Sequence, residues 1–128
     1  MPILNLENKK LLVVEDDDMS YLYLNQLLML TKGNFTRVKN GLDAIERFRS
    51  NPDYDMILMD IQLPDMDGKQ VTREIRSLDS KIPIIAQTAS RSTLETDLAL
   101  EAGCTEVVTK PFSMDILFGV IGKYLGEG

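Results

Sequence analysis

Five short strand-like runs, each followed by a segment whose apolar residues recur at helical spacing, order this chain from end to end. Lys10 to Val14 is apolar and β-branched, the composition of a strand. Leu24, Leu27, Leu28 and Thr31 then share one face of a helix predicted from Met19 to about Thr31, with Gly33-Asn34 as its stop. A strand over Phe35 to Lys39 leads into a helix over about Leu42 to Arg49, closed by Asn51-Pro52 because proline pushes its predecessor out of the helical region. Met56 to Met59 is continuously apolar, as in a strand buried on both faces. LPDMDG makes a turn, after which Val71, Ile75 and Leu78 mark one face of a third helix. Pro83 to Gln87 is the fourth strand. Ser92 with Glu95 forms a capping box that opens a helix through Leu94 and Leu98, and Gly103 stops it. Glu106 to Thr109 is the fifth strand, and beyond Pro111 the last helix carries Met114, Leu117, Val120, Ile121 and Tyr124.

Strands alternating with helices predict an α/β domain with right-handed crossovers and a parallel sheet covered on both faces. The length of 128 residues suits a single domain, and 44% apolar with 27% charged residues is an ordinary globular composition. A formal charge of -6 argues against a nucleic-acid surface, which needs clustered Lys and Arg, so proteins or small molecules are the expected partners. No apolar run approaches the roughly 18 residues of a membrane span. MPILNLENKK also lacks a signal peptide's basic start and long apolar core, so a cytoplasmic protein without membrane insertion is expected. The single cysteine, Cys104, cannot form an internal disulfide and reads as a small buried hydrophobe.

Chemistry concentrates where the strands end. Glu15-Asp16-Asp17 follows LLVV, Asp60 follows MILM, Thr88 follows PIIAQ and Lys110 follows EVVT. In an open parallel sheet these C-termini share one edge, where ligands bind at the reversal of strand order. Asp60, at the end of the most apolar strand, is poorly solvated and needs a cation or donors to stay charged. A carboxylate so placed is a candidate nucleophile toward a phosphoryl group. The acids after the first strand would repel one another, and an incoming phosphoryl group, without a divalent cation. Magnesium fits an all-oxygen set of one or two carboxylates plus water and phosphate oxygens. Asp17 and Asp18 read more simply as solvated residues capping the first helix. Thr88 and Lys110 offer a hydroxyl and a point positive charge for the equatorial oxygens of a transferring phosphoryl group.

KKLLVVEDDD, YDMILMDIQLPDMDG, IPIIAQTAS and AGCTEVVTKPF, in this order and each behind a predicted strand, resemble the signature segments of the response-regulator receiver domain. The resemblance implies a flavodoxin-like doubly wound (βα)5 fold with strand order 2-1-3-4-5. It covers residues 9–125, leaving an N-terminal extension over 1–8 and a tail over 126–128 of the kind a cloning remnant leaves. By resemblance Asp60 is the phosphoacceptor and Asp16 a direct magnesium ligand. Glu15, where Asp is more usual, acts through a metal-bound water, the Gln62 backbone carbonyl adds a third protein oxygen, and Mn2+ can substitute. Thr88 and Lys110 complete the site, the Lys110-Pro111 bond is cis, and Gln62 and Ser90 tune hydrolysis. Val107 stands where the family carries an aromatic switch residue, so the ring-flip readout is expected to be missing.

The chain contains no histidine and no GxxxxGK[ST] loop, so its phosphoryl donor lies elsewhere. The resemblance implies a sensor histidine kinase or a histidine phosphotransfer domain, with a downstream protein of unassigned identity and weak homodimerisation on the output face. MDIQLPDMDG and AGCTEVVTKPF are similar to receivers attached to hybrid sensor kinases, although a stand-alone shuttle stays open. Three other readings are weaker. A metal-dependent phosphatase with an aspartate-x-aspartate motif would need a second acid where Gln62 stands. A flavin binder needs a first loop rich in Ser, Thr and Gly, and Glu15-Asp16-Asp17 would repel the flavin phosphate. A calcium loop at Asp65-Met66-Asp67-Gly68 lacks its first ligand at Leu63 and its terminal glutamate. A receiver-shaped binding module without phosphorylation completes the alternatives.

Overall fold

The computed structural model describes residues 4–126. Five parallel strands, β1 (Lys10–Val14), β2 (Asn34–Val38), β3 (Met56–Asp60), β4 (Ile84–Thr88) and β5 (Glu106–Thr109), form one sheet in the order β2-β1-β3-β4-β5. Helices α1 (Asp18–Leu28), α2 (Gly41–Ser50), α3 (Gly68–Leu78), α4 (Thr93–Ala102) and α5 (Met114–Leu125) make the crossovers. The doubly wound (βα)5 sheet order is the expected one. Every residue of β3 and of β4 is buried, in accord with the continuous apolar run of β3.

The sheet separates two cores. Leu12, Val14, Ile57, Met59, Ile84 and Ala86 meet α2, α3 and α4 on one face. Leu11, Val13, Leu58, Ile85 and Val108 meet α1 and α5 on the other, through Leu24, Leu28, Leu117 and Ile121. Leu4 and Leu6, from the segment read as an N-terminal extension, are buried in this second core. Gly126 follows α5, and Glu127-Gly128 of the expected tail lie outside the described residues.

Several local expectations change. The first helix stops at Leu28 and tightens into a 3-10 turn, Met29–Thr31, closed by Lys32 in the left-handed conformation (φ 67°) rather than by Gly33. Gly33 is needed for space instead, since a Cβ there would stand 2.7 Å from the Phe35 ring and 3.0 Å from Leu6 Cβ. Leu78, Leu94 and Met114, expected on packed faces, are exposed. Helix α3 packs through Val71, Thr72 and Ile75, and α4 through the small Ala99 and Ala102, so the larger leucines stay outside. Ser92 caps α4 by accepting from the Glu95 backbone N–H, and Gly103, at φ 120°, ends it. There the Arg76 guanidinium donates to the Gly103 carbonyl (2.9 Å) and to Thr105 Oγ1 (3.3 Å), joining α3 to the α4–β5 turn.

Gly68 fixes the approach of α3 to the end of β3. A Cβ on it would stand 2.6 Å from the Asp60 carbonyl oxygen and 2.7 Å from Ile61 Cα, both backbone atoms that cannot swing aside. Gly68→Ala is therefore expected to destabilise the domain by about 1–3 kcal/mol, the usual range for overpacking, read from the midpoint of urea unfolding.

Candidate functional site

Each acid of the site is carried to one sheet edge by the strand that precedes it. Glu15 follows β1 with only 1% of its surface exposed, and Asp60 is the last residue of β3 at 6%. The Glu15 backbone is held by its N–H to the Val38 carbonyl (3.1 Å) and by Arg37 Nε donating to its own carbonyl (3.0 Å). Asp16 is exposed beside them, and one carboxylate oxygen from each of Glu15, Asp16 and Asp60 lies within 4.8 Å of the others. Such an all-oxygen cluster of three acids fits magnesium.

The opposing charge comes from β5. Lys110 Nζ reaches Glu15 Oε1 at 2.8 Å and Asp60 Oδ2 at 3.7 Å, so one ammonium serves two buried carboxylates and sits closer to Glu15. The Lys110 N–H donates to the Thr88 carbonyl (2.7 Å), the Lys110-Pro111 bond is cis, and Tyr23 Oη on α1 donates to the Phe112 carbonyl (2.7 Å). Thr88 is buried at the end of β4, its Oγ1 accepting from the Ser90 N–H at 3.0 Å. Asp60 Oδ1 accepts from the Gln62 N–H at 3.0 Å. Burial, followed by the Glu15 carboxylate beside it, pushes the Asp60 carboxyl up to about 7, against the opposing pull of the Gln62 N–H and the Lys110 ammonium.

The remaining acids have structural partners. Asp17 caps α1, accepting from the Ser20 N–H at 2.8 Å, and that bond holds its carboxyl below the usual range. Asp18 pairs with Arg37 (2.9 Å) and Lys39 (3.1 Å). Asp65 accepts from the Gly41 and Leu42 N–H groups at 2.8 and 2.9 Å, and Asp67 caps α3 and pairs with Lys69. The two acids of the rejected calcium loop are thus spent on two different helix N-termini. Val107 packs against the core under α3 and α4 and offers no ring. Cys104 is buried with Sγ 3.6 Å from Thr72 Oγ1, and burial pushes its thiol up.

Two contacts and one burial were not anticipated from the residue types alone: Arg37 on the Glu15 carbonyl, Tyr23 on the Phe112 carbonyl, and Gln87 at 1% exposure. For Gln87 a signal stands in the chain, one amide in the otherwise apolar PIIA run. Arg37 and Tyr23 carry none, being an ordinary strand arginine and helix tyrosine until the tertiary fold gives them partners.

The family model described as "Response regulator receiver domain" matches residues 11–121. The chain is 36% identical over 114 residues to transcription factor SKN7 of Candida albicans, covering 89% of this chain and 20% of that protein. It therefore spans about a fifth of that relative's length. Polar-differentiation response regulator DivK of Brucella anthropi is 32% identical over 121 residues, with 93% of this chain and 98% of DivK covered. Among solved structures, the receiver domain of Pseudomonas aeruginosa sensor histidine kinase PA1611, described with magnesium in the active site cleft, has a TM-score of 0.84 and 32% identity. That match covers 92% of this chain and 98% of the other. The Saccharomyces cerevisiae Ssk1 receiver domain, solved with the histidine phosphotransfer protein Ypd1, gives a TM-score of 0.85 at 26% identity over 97% of this chain and 91% of the matched one.

The raised Asp60 carboxyl ties stability to pH. The unfolded chain ionises near 3.8 and the folded metal-free protein near 7, so the folded state holds the proton longer and loses stability as pH rises between those values. Asp60→Asn removes this cost. In chelator-treated protein its melting temperature is expected to exceed wild type by roughly 4 °C or more at pH 8, about 1 kcal/mol for a domain of this size, and to match it near pH 4.

Proposed function

The chain belongs to the response regulator receiver domain family of two-component signalling, and we propose that within that family it takes a phosphoryl group from a phosphohistidine onto Asp60. The observation that carries this reading is the convergence of the Glu15, Asp16 and Asp60 carboxylates with the Lys110 ammonium at one sheet edge. An Asp60 carboxylate oxygen attacks phosphorus, the P–N bond breaks, and the imidazole nitrogen leaves with the electron pair and takes a proton. Lys110 lies 3.7 Å from Asp60 Oδ2, close enough to follow the charge onto a phosphoryl oxygen. Thr88 sits on the intervening strand, and its hydroxyl is free to donate to the same group while still accepting from the Ser90 N–H.

Asp16, Asp60 and the Gln62 carbonyl, with Glu15 through a water, are the residues that would hold Mg2+, or Mn2+ in its place. Bound there, the ion would supply the charge neutralisation that the gathered Glu15, Asp16 and Asp60 carboxylates otherwise deny an incoming phosphate. Gln62 is exposed and Ser90 half-buried at the two rims of the site, where their side chains meet the water that returns Asp60 to its free form. The family supplies the donor class, a sensor histidine kinase or a histidine phosphotransfer domain in the cytoplasm, and the Ssk1 receiver solved with the phosphotransfer protein Ypd1 supports that reading. The α4, β5 and α5 face, with Leu94 and Leu100 exposed on α4, serves the output partner and weak self-association. With Val107 in place of a ring, the switch runs through Thr88 and backbone shifts, and the partner's differential affinity sets its size.

Intact-protein mass after incubation with acetyl phosphate tests the chemistry: one phosphoryl group gained with Mg2+, none with chelator, none in Asp60→Asn. Mass gain in Asp60→Asn, or gain indifferent to the metal, would overturn the assignment. Lys110→Ala is expected to slow incorporation by about a hundredfold, in keeping with loss of one preorganised charge from a transition state. Val107→Tyr tests the switch. Partner affinity measured with and without phosphorylation should become more phosphorylation-dependent in the variant, and an unchanged ratio would show that the missing ring does not limit coupling.

A further inference from the structure

The loop between β1 and α1 carries two of the three gathered carboxylates, Glu15 and Asp16, yet lies beyond the end of the sheet. Parallel pairing of β1 with β2 runs in register from Lys10 opposite Asn34 to Val14 opposite Val38, and the Glu15 N–H still reaches the Val38 carbonyl at 3.1 Å. The next rung of such a ladder would bring the Asn40 N–H to the Glu15 carbonyl. Asn40 is instead the N-cap of α2, its side chain accepting from the Asp43 N–H, and the chain turns away from β1 there. Arg37 Nε takes that place, donating to the Glu15 carbonyl at 3.0 Å. The same guanidinium has its Cζ 4.4 Å from the centre of the Tyr21 ring, in the first turn of α1. Its Nη2 lies 2.9 Å from Asp18 Oδ1, an ion pair without hydrogen-bond alignment. One side chain thus touches both ends of the segment from Glu15 to Asp18 and the helix that follows it.

We propose that Arg37 is a positioning residue for the magnesium site, a role that rests on the metal reading given above. Glu15 is fixed through its N–H, its carbonyl, Oε1 against Lys110 at 2.8 Å, and Oε2, which accepts from the Asp17 N–H at 3.2 Å. Asp16 is exposed, and among the described residues only the backbone on either side directs its carboxylate toward the cluster. That backbone is the stretch Arg37 spans. Groups that orient a ligand set from behind commonly change metal affinity about tenfold or more when removed. Charge acts in the other direction, because a cation beside a dication site repels the ion. Position and charge therefore make opposite predictions for loss of Arg37. Arginine also suits the place better than lysine, since its planar fork donates, stacks and pairs at once, whereas an ammonium is a point charge.

Calorimetric titration of MgCl2 into chelator-treated, unphosphorylated protein, run well below each variant's melting temperature, separates the two. Arg37→Met keeps the apolar stem and loses the donors and the charge. Positioning predicts a Kd for Mg2+ raised about tenfold, whereas charge alone predicts a lower one. Arg37→Lys retains the charge and is expected to raise Kd about fivefold, the loss of one hydrogen bond. Lys39→Met removes the other cation from Asp18 without touching Glu15 and is expected to keep Kd within about twofold. Leu6→Ala opens the core ahead of β1, at the opposite end of the sheet, and is expected to lower stability while leaving Kd unchanged. An unchanged or lower Kd in Arg37→Met, or a rise in Leu6→Ala equal to that in Arg37→Met, would overturn the role of Arg37 and leave the metal reading standing. If Arg37→Met does not fold, Arg37→Lys decides, and an unchanged Kd there overturns the role. Wild-type protein that binds no Mg2+ would overturn both the role and the metal reading.

Discussion

One ammonium placed between two buried carboxylates is the constraint on which the rest of this domain turns. Glu15 follows β1 and Asp60 ends the adjacent β3, so the pairing of Val14 with Met59 brings their charges together. Lys110 directly follows β5, two strands from β3, a separation of about 10 Å at ordinary strand spacing. Only a long side chain leaning over β4 spans it. The cost of burying the acids is shared unevenly: the ammonium lies 0.9 Å nearer to Glu15 (2.8 against 3.7 Å), and Asp60 answers by holding its proton toward neutral pH. The longer side chain of Glu15 makes that closer contact possible.

Strand alternation then sorts the site into two sides. Glu15, Asp60, Gln87 and Lys110 are in phase with Val13, Leu58, Ile85 and Val108, which pack under α1 and α5. Thr88 and Val107 belong to the opposite phase, toward α3 and α4, where Ile84, Ala86 and Val107 pack. The end of β4 thus presents Gln87 to one layer and Thr88 to the other.

Most of this was legible in the chain. The apolar runs of β1, β3 and β4 marked those strands because they are buried, the edge strands β2 and β5 bury only Val38 and Val108, and residues at the strand ends marked the site because a parallel sheet brings all its C-termini to one edge. Helix faces were less legible. Leu78 and Leu94 are at plausible periods yet exposed, since the closeness of α4 is set by Ala99 and Ala102, and the alanine signal is weak beside that of leucine. The end of α1 depended on which residue accepts a positive φ, and Lys32 takes it although Gly33 is adjacent, because Gly33 is committed to clearing Phe35 and Leu6. Arg37 and Tyr23 act on carbonyls far away in sequence, contacts that no local pattern encodes.

The bond from Arg76 to the Gly103 carbonyl has an evolutionary side. A Cβ at position 103 would stand 2.8 Å from Arg76 Cγ, so the guanidinium occupies the space a side chain there would claim, and the turn's φ of 120° disfavours that side chain independently. Two positions 27 residues apart therefore constrain one another. Loss of the arginine removes the steric objection at 103 but not the conformational one, so a change at position 76 leaves the requirement for glycine at 103 in force.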